Sequence, residues 1–212
     1  MFISFGGDKV EQLQPNTDRR ITRTRQVIYE SFISLILEKE FSQIAIKDIT
    51  NQANISRSTF YSHYQDKYDL LDKIIRVKLS ELSQLLIESK SNYMKYQSDM
   101  EVPDPYFVTF FEHLAINKNF YHTMFTKMDS SEFHTKMFEV IRESFYNRVS
   151  SMEKEKKLLV PLDILLDYSS SSIIGITKIW IENNMIYAPH YMALQLTRLA
   201  IMGIYKTMGK MN

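Results

Sequence analysis

Between Lys47 and Lys67 lies a run of side chains whose chemistry is donation rather than catalysis: Arg57, Ser58, Thr59, Tyr61, Ser62 and His63, with a lysine at either end. Hydroxyls, a guanidinium, an imidazole and ammoniums, with almost no acid among them, suit a surface lined with phosphates and base edges. Arg57 and Ser58 are placed to reach base edges, and Thr59, Tyr61 and His63 to hydrogen-bond phosphates. Lys47 and Lys67 are placed to hold the flanking phosphates. Upstream, Arg19, Arg20, Arg23 and Arg25 open the first strongly apolar helix. Basic residues at a helix start run against its dipole, which favours a phosphate-contacting role over a solvated helix end.

Those side chains need a frame, and the sequence from Ile46 to Tyr64 has the anatomy of a helix-turn-helix. Ile49, Ile55, Phe60 and Tyr64 supply a small interior, and Ala53 is small where two short helices cross. Asn54 tolerates the left-handed conformation of the turn, and the Ser56 hydroxyl caps the next helix. The periodicity of apolar residues predicts helices over residues 17–39, 46–53, 57–64 and 66–86, the last with Asp66 as its cap and Asp69 at capping-box distance. Residues 98–105, with two prolines, form the best connection to the second half of the chain. Further helices are expected at about 106–116, 118–128, 130–153, 161–183 and 189–208, with breaks at Asn117, Asp129, the charged run 153–157 and the turn before Pro189.

The composition agrees with an all-α chain of about nine helices. Hydrophobic residues make up 44% of the 212, and Gly and Pro number only 5 each. No cysteine is present, which excludes disulfides and thiolate chemistry and fits a reducing, cytoplasmic setting. Residues 1–17 read as a flexible tail, and no stretch approaches the apolar length of a membrane span. The net charge of +1 makes any attraction to a polyanion a matter of local distribution. Catalysis is not expected, because the Ser169–Ser172 run has no patterned His or Asp partner and no glycine-rich phosphate loop exists. His113, His122 and His134 match no compact zinc motif, so neither a metal nor a cofactor is expected.

Residues 19–75 resemble the N-terminal domain of TetR-type regulators, through Phe41, Ile49, Ala53, Ile55-Ser56-Arg57, Thr59-Phe60-Tyr61, His63, Lys67, Leu70 and Leu71. The run from Thr59 to Leu70 is similar to the branch related to the dihydroxyacetone kinase regulator, as are Phe110-Phe111-Glu112-His113, Asn119-Phe120-Tyr121 and Ile174-Gly175-Ile176 with Trp180. The chain departs from the family pattern at Glu40 and Asn54, where glycines are usual, at Ala45, where a capping Thr is usual, and at Tyr64, usually Phe. Losing that cap should weaken the second helix by about 1 kcal/mol.

The resemblance implies a three-helix DNA-binding domain over residues 18–75 and a helical ligand-binding and dimerisation domain over 76–212. It implies a homodimer paired through the last two helices, at about 161–184 and 189–208, on a near-palindromic duplex operator, with a small-molecule effector of unknown identity. The expected action is repression relieved by that ligand, the alternative being co-activation through a protein partner. His113, Tyr121, Met124, Phe125 and Trp180 are the candidate effector contacts, with Asn183 as a further polar group.

Overall fold

A computed structural model describes residues 15–89, 99–128, 131–152 and 158–207. Among these the structure is helical: α1 (Pro15–Glu38), a 3-10 turn (Phe41–Gln43), α2 (Ile46–Gln52), α3 (Arg57–Tyr61), α4 (Lys67–Glu88), α5 (Pro105–Ile116) and α6 (Lys118–His122). A π-helical segment (Thr123–Met128), α7 (Ser131–Met152), α8 (Leu162–Glu182) and α9 (Pro189–Thr207) complete the order. The helical part of the expected tail begins at Pro15, whose fixed φ suits a first helical position. The rest of that tail and the expected breaks at Asp129 and 153–157 lie outside the described residues.

The chain divides by its own packing into two compact units, ending and beginning at Lys67 and Tyr68, whereas the sequence suggested a boundary after residue 75. In the first unit α1 packs on α2 and α2 on α3. Ile28, Phe32 and Ile36 of α1 are buried with Ile44, Ile49 and Phe60, and the Phe41 ring meets Phe32 edge-on at 6.1 Å. The third helix is shorter than the periodicity suggested. The backbone N–H groups of His63 and Tyr64 both donate to the Phe60 carbonyl at 3.0 Å, closing the last turn, and the Tyr64 ring continues the core by packing 5.6 Å from that of Phe60.

In the second unit α5 packs along α9 and α7 along α8. One buried polar knot joins three of these helices. Asp104 caps α5 by accepting from the Tyr106 N–H at 2.9 Å, and its own N–H donates to the Thr197 hydroxyl of α9 at 2.8 Å. Its carboxylate receives both guanidinium nitrogens of Arg148 from α7. The guanidinium also lies 5.5 Å from the Tyr106 ring, whose hydroxyl meets Ser144 at 2.7 Å. A paired, hydrogen-bonded ion pair of this kind is tolerated in a core, but removing one partner strands the other.

The turn from α8 to α9 uses two residues with positive φ, Asn184 (55°) and Met185 (54°). Two hydrogen bonds hold them: Met185 N–H to the Trp180 carbonyl at 2.8 Å and Asn184 N–H to that of Ile181 at 2.9 Å. Within α9 the backbone breaks at Gly203 (φ 65°), a conformation glycine adopts without strain.

Because the Asp104 carboxylate is only a few per cent exposed, Arg148→Ala should lower the unfolding free energy by about 3–5 kcal/mol. Urea denaturation followed by far-ultraviolet circular dichroism checks this.

Candidate nucleic-acid interface

Helices α2 and α3 are too short to persist alone, so the site depends on what fixes them. Asn54 has φ 50° and turns the chain between them as expected. The Ser56 hydroxyl accepts from the Thr59 N–H at 3.1 Å and so caps α3. At the start of α2, Ala45 has no oxygen with which to cap. The reciprocal half of a capping box survives instead: the Asp48 carboxylate accepts from the Ala45 N–H at 2.9 Å and pairs with the Lys39 ammonium at 2.8 Å. The Lys39 hydrogen bond, followed by that from Ala45, holds the Asp48 carboxyl below its ordinary range. The loss of the capping Thr is therefore partly offset by an ion pair from the end of α1. Glu40, at the family's glycine position, has φ −56°, so no left-handed residue is needed there.

Six of the expected donors sit on α3 or just beyond it. Arg57, Ser58, Tyr61 and Ser62 are exposed, and Thr59 and His63 are half-buried. Tyr61 is 56% exposed with its ring edge-on to Phe60 at 5.7 Å, which props the phenol outward from the core. The small hydroxyls are less available than their types suggested. Ser56 Oγ lies 2.8 Å from both Ser58 Oγ and Thr59 Oγ1, and Ser62 donates to the Thr59 carbonyl at 2.7 Å. Arg57 and Tyr61 are the longer of the exposed side chains on α3. Lys47 is exposed on α2, and Arg19, Arg20, Arg23 and Arg25 are all exposed on α1.

Lys67 is placed differently from the expectation of a phosphate contact. Its ammonium donates to the carbonyls of Phe41 at 2.8 Å, Ser42 at 3.0 Å and Ile44 at 2.9 Å, and lies 4.7 Å from the Phe41 ring centroid. An ammonium has three donors, and all three point at the 3-10 turn. Lys67 is a brace for the turn ahead of α2, a role with no marker in the sequence because Lys at a helix start looks the same in either case.

The candidate effector residues are all buried, and among them His113 and Tyr121 meet. His113, Tyr121, Met124, Phe125 and Trp180 are each less than 5% exposed. Trp180 donates from Nε1 to the Tyr187 carbonyl at 2.9 Å and meets Phe111 edge-on at 5.2 Å, a structural role in the α8–α9 turn. Asn183 is exposed and ends α8. His113 Nε2 lies 3.0 Å from the Tyr121 hydroxyl. Burial is the main influence on that imidazole and lowers its pKa from 6.5, against a smaller opposing pull from Glu81. Sequence reasoning passed over Ser170 and Thr177, fully buried on α8, because serine and threonine at helical spacing carry no pattern of their own.

Two family models match the chain: one described as "Bacterial regulatory proteins, tetR family" over residues 28–74, the other as "Transcriptional regulator C-terminal region" over 101–202. The uncharacterized HTH-type transcriptional regulator YxbF of Bacillus subtilis is 26% identical over 191 residues, covering 89% of this chain and 47% of that protein. The chain thus spans about half the length of that relative. The HTH-type dhaKLM operon transcriptional activator DhaS of Lactococcus lactis is 25% identical over 159 residues, 73% of this chain and 78% of that one. The crystal structure of a TetR transcriptional regulator from Streptococcus agalactiae superposes with a TM-score of 0.59 at 27% identity, covering 88% of this chain and 97% of its own.

Two outcomes are expected. Lys67→Met should destabilise the first unit yet leave the slope of log affinity for DNA against log salt unchanged, whereas loss of a true phosphate contact shifts it by about one. For His113, the unfolded chain binds a proton below pH 6.5 that the folded one resists, so stability should fall as pH drops through that value. His113→Gln should flatten this dependence in urea midpoints compared at about pH 7.5 and 5.5.

Proposed function

The chain belongs to the TetR family of bacterial transcriptional regulators, and we propose that it reads a near-palindromic operator directly as a homodimer, with α3 of each protomer in a major groove. The observation that carries this is the state of α3: a short helix fixed by a cap and a left-handed turn, with Arg57 and Tyr61 projecting from it and no carboxylate among the residues from Arg57 to Tyr64. Arg57 is assigned to base edges. Tyr61, His63 and Lys47 are assigned to phosphates, with Ser58, Thr59 and Ser62 as nearer, smaller contacts. Two such helices would meet successive grooves about 34 Å apart.

The dimer is proposed to form through α8 and α9. Ile173, Trp180 and Ile181 of α8 are buried within the chain, but Ile164, Tyr168 and Ile179 are each more than half exposed. These three, with Gly175, recur along one side of the helix. A Cβ on Gly175 would meet nothing within 4 Å, leaving room for the backbone of a second copy. Tyr187 and Tyr191 stack at 5.1 Å beside the turn, and Leu199 and Ile201 extend the apolar surface along α9. A stripe of this length on a water-exposed helix pair suits association.

Ligand response is proposed to run through α4, whose first residue is held to the 3-10 turn by Lys67 while the rest of the helix belongs to the second unit. A ligand that shifts α4 changes the presentation of α3, and by linkage DNA must weaken ligand binding as ligand weakens DNA binding. Relief of repression is the simplest outcome. Activation through a protein partner is the second reading, favoured by the similarity to DhaS, which is named as an activator.

Selection of bound sequences from random duplex DNA by the purified protein should recover a palindrome. Arg57→Ala and Tyr61→Ala should each weaken its binding by about 1–3 kcal/mol per protomer. Absence of enrichment at low salt would bring the protein-partner reading forward.

A further inference from the structure

The hydroxyls of Ser170 and Thr177 are buried on α8, and neither has a hydrogen-bond partner among the described residues. A hydroxyl on a helix normally donates to the carbonyl of the preceding turn, and this unit follows that habit elsewhere. Thr123 donates to Asn119 at 2.7 Å, Thr135 to Ser131 at 2.9 Å and Thr197 to Ala193 at 2.8 Å. Ser170 and Thr177 decline the same option, although leaving a buried polar group unmet is costly. Both lie on the inward face of α8, on either side of the buried Ile173.

Helix α8 packs against α6, α7 and the π-helical segment Thr123–Met128. Such segments widen the helix locally and concentrate at functional sites. This one carries the buried Met124 and Phe125, and the Phe125 ring packs edge-on to Phe133 at 5.3 Å. Among the buried residues described in this unit, the single formally charged side chain is Asp104, and it is held by Arg148 and capped into α5.

Resting on the reading that the second unit binds an effector, we propose that Ser170 and Thr177 are its hydrogen-bonding contacts and that the effector is a neutral, elongated, mainly apolar molecule. Seven residues of helix separate the two hydroxyls by about 10 Å along the axis, so a molecule engaging both carries oxygen or nitrogen groups at a similar spacing. An anionic head would find no described buried cation to meet it, since Arg148 is already paired. Met124 and Phe125 supply the adaptable wall for the apolar body.

The test uses the full-length protein with 1,8-octanediol, a neutral chain with a hydroxyl at each end, beside 1-octanol and octanoate, in calorimetric titration and thermal melting. The diol should bind saturably and more tightly than either control. Ser170→Ala and Thr177→Val should each weaken it about three- to tenfold, yet raise the melting temperature without ligand by about 2–4 °C, because each removes an unmet buried hydroxyl. Variants that melt at or below the parent, variants that bind the diol as the parent does, or a parent that does not bind it at all would overturn the site. Whether the diol also changes operator affinity is measured on the same samples and bears on the ligand-response reading alone.

Discussion

A recognition helix of five residues cannot hold its own shape, and the arrangement of the first unit reflects that constraint. Forming one helical turn fixes several backbone dihedrals for a single hydrogen bond, so α2 and α3 exist only where their ends are held from outside. Asn54 sets the angle between them, Ser56 caps the second, and Asp48 with Lys39 substitutes for the missing cap of the first. Lys67 closes the set by gathering three carbonyls of the turn before α2. Each of these groups lies at an element boundary, and none needs to touch DNA for readout to depend on it.

The second unit solves a different problem. On the proposed reading it must bury enough apolar surface to fold, keep an apolar stripe outside for a second copy, and leave polar groups inside for an effector. The Asp104–Arg148 knot satisfies its own buried charge and ties α5, α7 and α9 together, which leaves α8 to serve two faces. Its outer side shows Ile164, Tyr168 and Ile179, while its inner side carries the unmet hydroxyls of Ser170 and Thr177. One helix thereby lies at both the proposed dimer surface and the proposed ligand site, an arrangement through which ligand could influence how two copies pair.

Much of the first unit is legible from residue types alone, because Asn54, Ser56 and the small Ala53 act through local backbone chemistry that the sequence displays. Asp48 is not, since its value depends on Lys39, nine residues earlier and brought close only by folding. Lys67 is ambiguous for the same reason: a lysine at a helix start serves a phosphate or a carbonyl cluster equally well, and only the position of the 3-10 turn decides. In the second unit, aromatic and methionine residues at helical spacing indicate a core without separating walls from filling. Trp180 pins the turn between α8 and α9, a role its spacing does not announce. The breaking of the expected helix over 118–128 into α6 and a π-helical segment has no marker in the sequence that periodicity could detect.

The most direct measurement of the central claim is hydroxyl-radical footprinting on a selected duplex, paired with native mass spectrometry of the complex. Two protomers per duplex, protecting two symmetric patches about one helical turn apart, are the predicted result for paired α3 helices in successive major grooves. A single protomer on the duplex, or protection without symmetry or sequence preference, would contradict it.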